Sequence, residues 1–198
     1  FVEDVGEAAF YGPKVDINAR NVYGKEDTMI TIQWDPLLAE QFDMYYIDEN
    51  GEKKRPYIIH RTSMGCYERT LAMLIEKYNG CFPTWLAPVA VKVLPLSDKY
   101  ADYAAEVVRE FKNRGIMKVE ADYRTEKIGY KIREARMERV PYIVVVGAEE
   151  MENKTVSVRS RQKGDEGVQS LESFVNRVDE EIKTKFNYLQ HIEVEESK

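Results

Sequence analysis

The sequence predicts an α/β protein in two parts, a partial antiparallel sheet followed by a mixed, mostly parallel α/β domain with three helices. Three observations carry this. Residues 10–62 hold runs with period-two alternation and turn signals between them. Residues 89–182 instead alternate short apolar runs with segments of helical period. Between the two stretches, Pro83 and Pro88 mark a stiff connector.

The elements follow in order. Residues 14–20 alternate Val15, Ile17 and Ala19 with Asp16 and Asn18, and residues 29–34 are rich in strand formers. Residues 44–47 and 55–60 flank residues 48–52, and the Asn50-Gly51 step between them predicts a hairpin. Residues 66–78 place Leu71, Leu74, Ile75 and Tyr78 at helical spacing, with Gly80 where a C-terminal cap belongs. The connector divides the chain into expected domains of 1–86 and 87–198. Beyond it, residues 89–94 read as a buried strand, and Ser97 can cap a helix running to Arg114 and closed by Gly115. Residues 118–121, 142–146 and 155–159 read as strands, residues 127–139 as a helix, and Ser170 caps a last helix with Leu171, Phe174, Val175, Val178 and Ile182 inward. The β-α-β-α-β order implies helices on the faces of a mostly parallel sheet. The tail from Asn187 to Lys198 is acidic and is expected to fray.

Composition excludes several classes. With 29 Lys and Arg against 35 Asp and Glu, the formal charge is −6, so a generally basic nucleic-acid binder or an anionic-membrane binder is ruled out. Two cysteines and two histidines lack the paired spacing of a structural zinc site, and two cysteines make no disulfide framework. No apolar run reaches the length of a membrane span. Reduced thiols favour a cytoplasmic setting, and the first residue, Phe1, suggests a piece of a longer polypeptide.

Four constellations could carry chemistry. In residues 59–62, strand alternation puts His60 and Arg61 on opposite faces. In residues 65–69, Arg69 falls in the first helical turn, where the macrodipole disfavours a cation, which suggests an anionic or aromatic ligand. The plainer alternative is a surface arginine paired with Glu68 or Glu76. Residues 10–14 could present Tyr11 and Lys14 around a Gly12-Pro13 turn. Residues 124–139 hold six cations against three carboxylates, a local charge of +3. Ile128, Ile132 and Ala135 form the buried stripe there. Arg139 continues the stripe one turn on, and Lys131, Arg133 and Arg136 flank it. This helix is either a solvated face laced with ion pairs or a phosphate and base contact surface.

Taken together, the run from Phe10 to Lys14, Thr31-Ile32-Gln33, the run from Ile59 through Gly65 to Arg69, residues 83–88 and residues 126–134 resemble the threonyl-tRNA synthetases, over residues 7–186. The resemblance implies the end of a class II synthetase catalytic sheet joined to the C-terminal anticodon-binding domain. It implies an ATP-dependent ligase that activates threonine and transfers it to tRNA(Thr), with ATP and Mg2+ and a zinc ion that holds the substrate's amino and hydroxyl groups. A site that binds a hydroxyl penalises an analogue lacking it.

Roles carry over residue by residue. His60 matches one zinc ligand, the other two lying upstream in the family. Arg69 and Lys14 match catalytic positions; Tyr11, Thr31, Gln33 and Arg69 match substrate-binding ones. Arg133, Arg139, Glu150 and Arg159 match positions that read the anticodon. The chain departs from the common pattern at Asp27-Thr28, where many members carry Trp-Gln, and at Thr125, where many carry Asn. Thr28 therefore receives no role. The family's class II motifs 1 and 2 are absent, so the 198 residues are expected to be inactive alone. The intact enzyme is expected to be a homodimer, with tRNA(Thr), threonine and ATP as partners and no membrane. Two other readings stay open: a tRNA-binding or regulatory module derived from a synthetase, and another class II synthetase of the prolyl or glycyl type.

Overall fold

The computed structural model describes residues 2–187, so the acidic tail beyond Asn187 lies outside the described residues. The chain divides into two compact units, Phe1–Lys77 and Tyr78–Lys198. The division precedes the proline connector because residues after Tyr78 bond within the second unit. Arg161 donates to the carbonyls of Cys81 and Phe82, and Thr84 Oγ1 donates to Glu181.

The first unit is built on an antiparallel sheet of β1 (Lys14–Arg20), β2 (Glu26–Asp35) and β5 (Ile58–Arg61), in the order β1-β2-β5. Between β2 and β5 lie the short helix α1 (Leu37–Gln41) and a small hairpin of β3 (Tyr46–Ile47) and β4 (Lys53–Lys54). The expected hairpin forms around Asn50-Gly51 but closes on β4, while β5 leaves to pair with β2. Pro56 stands between β4 and β5 and has no N–H to donate to a ladder, which ends the hairpin there. Helix α2 (Tyr67–Tyr78) follows β5.

The alternation read in β1 and β2 separates two sheet faces. One carries Val15, Ile17, Ile32, Trp34 and Ile59, all exposed, Val15 and Ile59 at 60%. The other carries Lys14, Asp16, Thr31, Gln33 and His60, all half-buried. The polar face is the one that the unit covers.

The second unit is a five-stranded sheet in the order β10-β9-β8-β6-β7, from β6 (Val91–Pro95), β7 (Val119–Ala121), β8 (Tyr142–Val146), β9 (Thr155–Ser160) and β10 (Gly164–Ser170). The pairs β6–β7 and β6–β8 are parallel, and β8–β9 and β9–β10 antiparallel. Helices α3 (Ala101–Asn113), α4 (Ile128–Met137) and α6 (Leu171–Thr184) are the three expected. A short helix, α5 (Ala148–Asn153), is additional; at six residues it is too brief to show a period.

The chain steps from β6 outward to β7, then back past β6 to β8. Right-handed crossovers in opposite directions put their helices on opposite faces. Accordingly α3, with α6, covers the main core of Val91, Val93, Val144, Val156, Val158, Phe111 and Phe174. Helix α4 covers the other face through Ile128, Ile132 and Ala135 against Leu94 and Ile143.

Two caps differ in outcome. Ser170 Oγ accepts from Ser173 N–H at 3.2 Å, as expected of a cap. Ser97 makes no side-chain cap; a single 3-10 turn, Asp98–Tyr100, intervenes before α3. Among the described residues no helix is long and apolar enough to cross a membrane.

Candidate functional site

The register of the first sheet builds one cleft. Lys14 lies opposite Gln33, and Gln33 opposite His60, so the three form a row across β1, β2 and β5; Asp16 and Thr31 form the next row. A cleft of about 400 Å³ is lined by, among others, Lys14, Asp16, Thr28, Thr31, Gln33 and Arg69. Five of the first unit's expected site residues therefore meet: four line this cleft, and Tyr11 joins through its hydroxyl, which donates to Gln33 Oε1 at 2.7 Å. His60 lines an adjoining cavity of about 280 Å³ that shares Thr31 and Gln33.

Glycines shape this site. A Cβ on Gly12 would run into the carbonyl oxygen of Trp34, so the turn carrying Tyr11 and Lys14 can lie against β2 only with glycine there. Gly65 has φ +63°, and a Cβ there would sit 3.1 Å from the Met29 carbonyl. That turn brings the start of α2 back to β2. Arg69 then reaches the cleft, where its Nη1 donates to the carbonyl of Thr28 at 3.0 Å. Pairing with Glu68 or Glu76, the plainer alternative, is not seen; Glu76 accepts instead from Val22 N–H. Among the described residues one of the five Arg69 donors is used and the other four are unpaired.

Asp16 was not singled out from the sequence, and it organises the cleft. Its carboxylate accepts from Lys14 Nζ at 2.7 Å and from Thr31 Oγ1 at 2.8 Å. The hydrogen bond from Lys14 holds the Asp16 carboxyl below its ordinary range, and the same bond raises Lys14. The signal was available: residues two apart on a strand share a face.

Asp35 was missed as well. It is 4% exposed, and its Oδ2 lies 2.8 Å from His60 Nε2. That contact, with the Leu38 N–H donating to Oδ1, holds its carboxyl below the ordinary range. With Nε2–H donated to Asp35, the Nδ1 lone pair of His60 is free to bind a metal, the usual arrangement of a carboxylate behind a metal-binding histidine. His60 therefore fits as a single ligand. Among the described residues no group of three His, Cys, Asp or Glu side chains could hold a metal ion.

In the second unit, α4 has two unlike flanks. Toward β7, Glu134 and Glu138 meet Arg124 and Lys92. Two expectations are corrected here. Lys131 is not on the surface: it is 4% exposed and its Nζ donates to the carbonyl of Asp122 at 2.9 Å. Arg124 adds little free charge, because Asp122 accepts from its Nε and Nη2 and Glu134 from its Nη2. Arg139 also departs from the expected stripe. The helix ends at Met137, and Arg139 has φ +59°, exposed, with Nη1 3.8 Å from Cys81 Sγ.

The opposite flank of α4 carries Arg133 and Arg136, both exposed. Arg159 lies opposite Ile143 in the β8–β9 register, and Ile143 packs under α4, so Arg159 and α4 occupy one sheet face. Arg159 Nη2 is 2.7 Å from Asp165. Glu150, on α5, accepts the Gly147 N–H at 2.9 Å. The structure thus gathers Arg133 and Arg159 on one face; Arg139 stands beyond the C-terminal end of α4, and Glu150 beyond the C-terminal end of β8.

Residues 2–78 match the family model described as "tRNA synthetase class II core domain (G, H, P, S and T)", and residues 90–181 the one described as "Anticodon binding domain". The chain is 70% identical over 187 residues to a threonine–tRNA ligase of Clostridium perfringens (strain SM101 / Type A), covering 94% of this chain and 29% of that protein. The chain is thus similar to the threonine–tRNA ligases over nearly all of its own length. It is also similar to a threonine–tRNA ligase of Clostridium botulinum (strain Eklund 17B / Type B), 67% identical over 93% of this chain and 29% of that protein. Among solved structures, the RNA binding domain of threonyl-tRNA synthetase from Cryptosporidium parvum Iowa II matches with a TM-score of 0.75 and 34% identity, over 88% of this chain and 44% of that one. The chain thus spans under a third of the length of these threonine–tRNA ligases.

Proposed function

We propose that this chain is part of a ligase that joins threonine to ATP as an adenylate and transfers it to tRNA(Thr). In this reading residues 1–86 supply the end of the catalytic domain and residues 87–198 recognise the anticodon. The observation that supports it best is the single cleft holding Lys14, Thr31, Gln33 and Arg69, with Tyr11 bonded to Gln33 and His60 one strand away.

In the first step the threonine carboxylate attacks the α-phosphate of ATP and pyrophosphate leaves. Lys14, held in place by its ion pair with Asp16, stabilises negative charge at the reacting group. Arg69 supports the phosphates and lays its plane against adenine. Tyr11, Thr31 and Gln33 give hydrogen bonds that orient threonine and nucleotide. Mg2+ accompanies the ATP. His60 would be one ligand of a zinc ion, which would supply a Lewis acid for the amino and hydroxyl groups of threonine. In the second step a ribose hydroxyl of tRNA attacks the acyl carbon and AMP leaves. Arg133, Arg139, Glu150 and Arg159 read unstacked anticodon bases.

The test is threonine-dependent pyrophosphate exchange. The full-length enzyme is expected to catalyse it, with Arg69→Ala reducing it at least a hundredfold, and the 198 residues alone to give none. Exchange by the 198 residues alone, or full activity in Arg69→Ala, would overturn the assignment.

A further inference from the structure

Three arginines, Arg133, Arg136 and Arg139, recur at three-residue steps. Neighbours on a helix surface lie three and four residues apart, and an acid at one of those places is how a surface arginine is ordinarily paired. None stands there. Arg133 has Gly129, Tyr130, Arg136 and Met137 as such neighbours; Arg136 has Ile132 and Arg133, the helix ending at Met137 before Arg139. The nearest carboxylates, Glu134 and Glu138, are turned to the other flank and held by Arg124 and Lys92. Arg136 is exposed, and among the described residues no hydrogen bond or ion pair holds its side chain. Like charges are thus set side by side, and among the described residues no carboxylate pairs with them, as on a surface awaiting an anion.

The direction of this flank follows from the sheet. Helix α4 lies over β6 and β8, and its acidic flank meets residues of β6 and of the loop after β7. The order β7-β6-β8-β9 then turns the arginine flank toward β9, where Arg159 rises from the same sheet face. Arg136 sits on that flank one turn beyond Arg133.

We infer that Arg136 contacts a backbone phosphate of bound RNA, a contact additional to the four anticodon positions. It rests on the tRNA reading above. Arg159 and Glu150 are each held by a partner, Asp165 and the Gly147 N–H, and so present their groups in set orientations suited to base edges. Nothing sets the plane of the Arg136 guanidinium. It offers charge, which a phosphate accepts from any direction, and it carries no base information.

The experiment measures binding of the full chain to the anticodon stem-loop of tRNA(Thr) and to one with altered anticodon bases, across a salt series. Arg136→Ala is expected to flatten the slope of log K against log salt by about 0.7–0.9, one phosphate contact, which at ~0.1 M salt weakens binding about fivefold. The loss should be equal for both loops, and Arg136→Lys should keep the slope. An unchanged slope in Arg136→Ala, with the wild type still preferring the cognate loop, overturns this inference alone. A loss confined to the cognate loop overturns it too, since the residue would then read a base. A wild type with no preference between loops removes the tRNA reading and this inference with it.

Discussion

Asp122 ties the loop after β7 to α4, and Asp122→Asn tests that tie. The carboxylate is nearly buried and accepts from Arg124 Nε, Nη2 and N–H at 2.9, 2.7 and 3.0 Å, while its backbone carbonyl accepts from the buried Lys131. The Arg124 bonds, with smaller help from the Lys131 charge, hold the Asp122 carboxyl at about 2 instead of 3.8. A pKa lowered on folding means stability that is present above the unfolded value and is lost as pH falls through the folded one. At about 1.36 kcal/mol per pH unit, this carboxylate contributes about 2 kcal/mol, lost between about pH 4 and pH 2. Asp122→Asn should therefore cost about 2 kcal/mol at pH 7 and remove that much of the wild-type decline between pH 4 and 2. Urea unfolding in a Trp34→Phe background, where Trp85 alone reports on the second unit, measures both. Other carboxylates titrate in the same window, so the difference between the two proteins is the readout. Parallel stability curves for Asp122→Asn and wild type would refute the linkage.

Three further outcomes follow from the packing. Phe174→Ala empties a fully buried site between the rings of Phe111 and Tyr142 and should cost about 3–5 kcal/mol in urea unfolding of the second unit; a cost below about 1 kcal/mol would mean the core refills. Gly12→Ala should destabilise the first unit by about 1–3 kcal/mol, read from Trp34 fluorescence, because its Cβ meets the Trp34 carbonyl; a neutral result would mean the turn shifts freely. In the full-length enzyme, Asp35→Asn should weaken zinc binding about 10–100-fold by metal titration, since the histidine loses the carboxylate behind it. Unchanged affinity would place His60 outside the metal site.

Much of this fold was legible because its signals are local. Period-two alternation located β1 and β2, Gly80 and Gly115 ended helices, and Ser170 began one. The candidate cleft was legible in part, since the Tyr11 to Lys14 turn, Thr31, Gln33 and Arg69 stand out along the chain. What escaped were the carboxylates between them. Asp16 and Asp35 look like ordinary strand polars until the register sets one beside Lys14 and Thr31 and the other beside His60. Lys131 failed for the opposite reason. Periodicity put a cation beside the apolar stripe, and the edge of the sheet buried it against a carbonyl.

The sequence by itself determined the order of most elements, because propensity and period are written in neighbouring residues. Only the tertiary structure decided which charges are free. Arg124 and Lys131 are consumed by the loop after β7, and among the described residues the side chains of Arg133 and Arg136 are left unpaired on the flank turned toward β9. Whether a cation is spent or available depends on what lies across the sheet from it, and residues far apart in the chain set that.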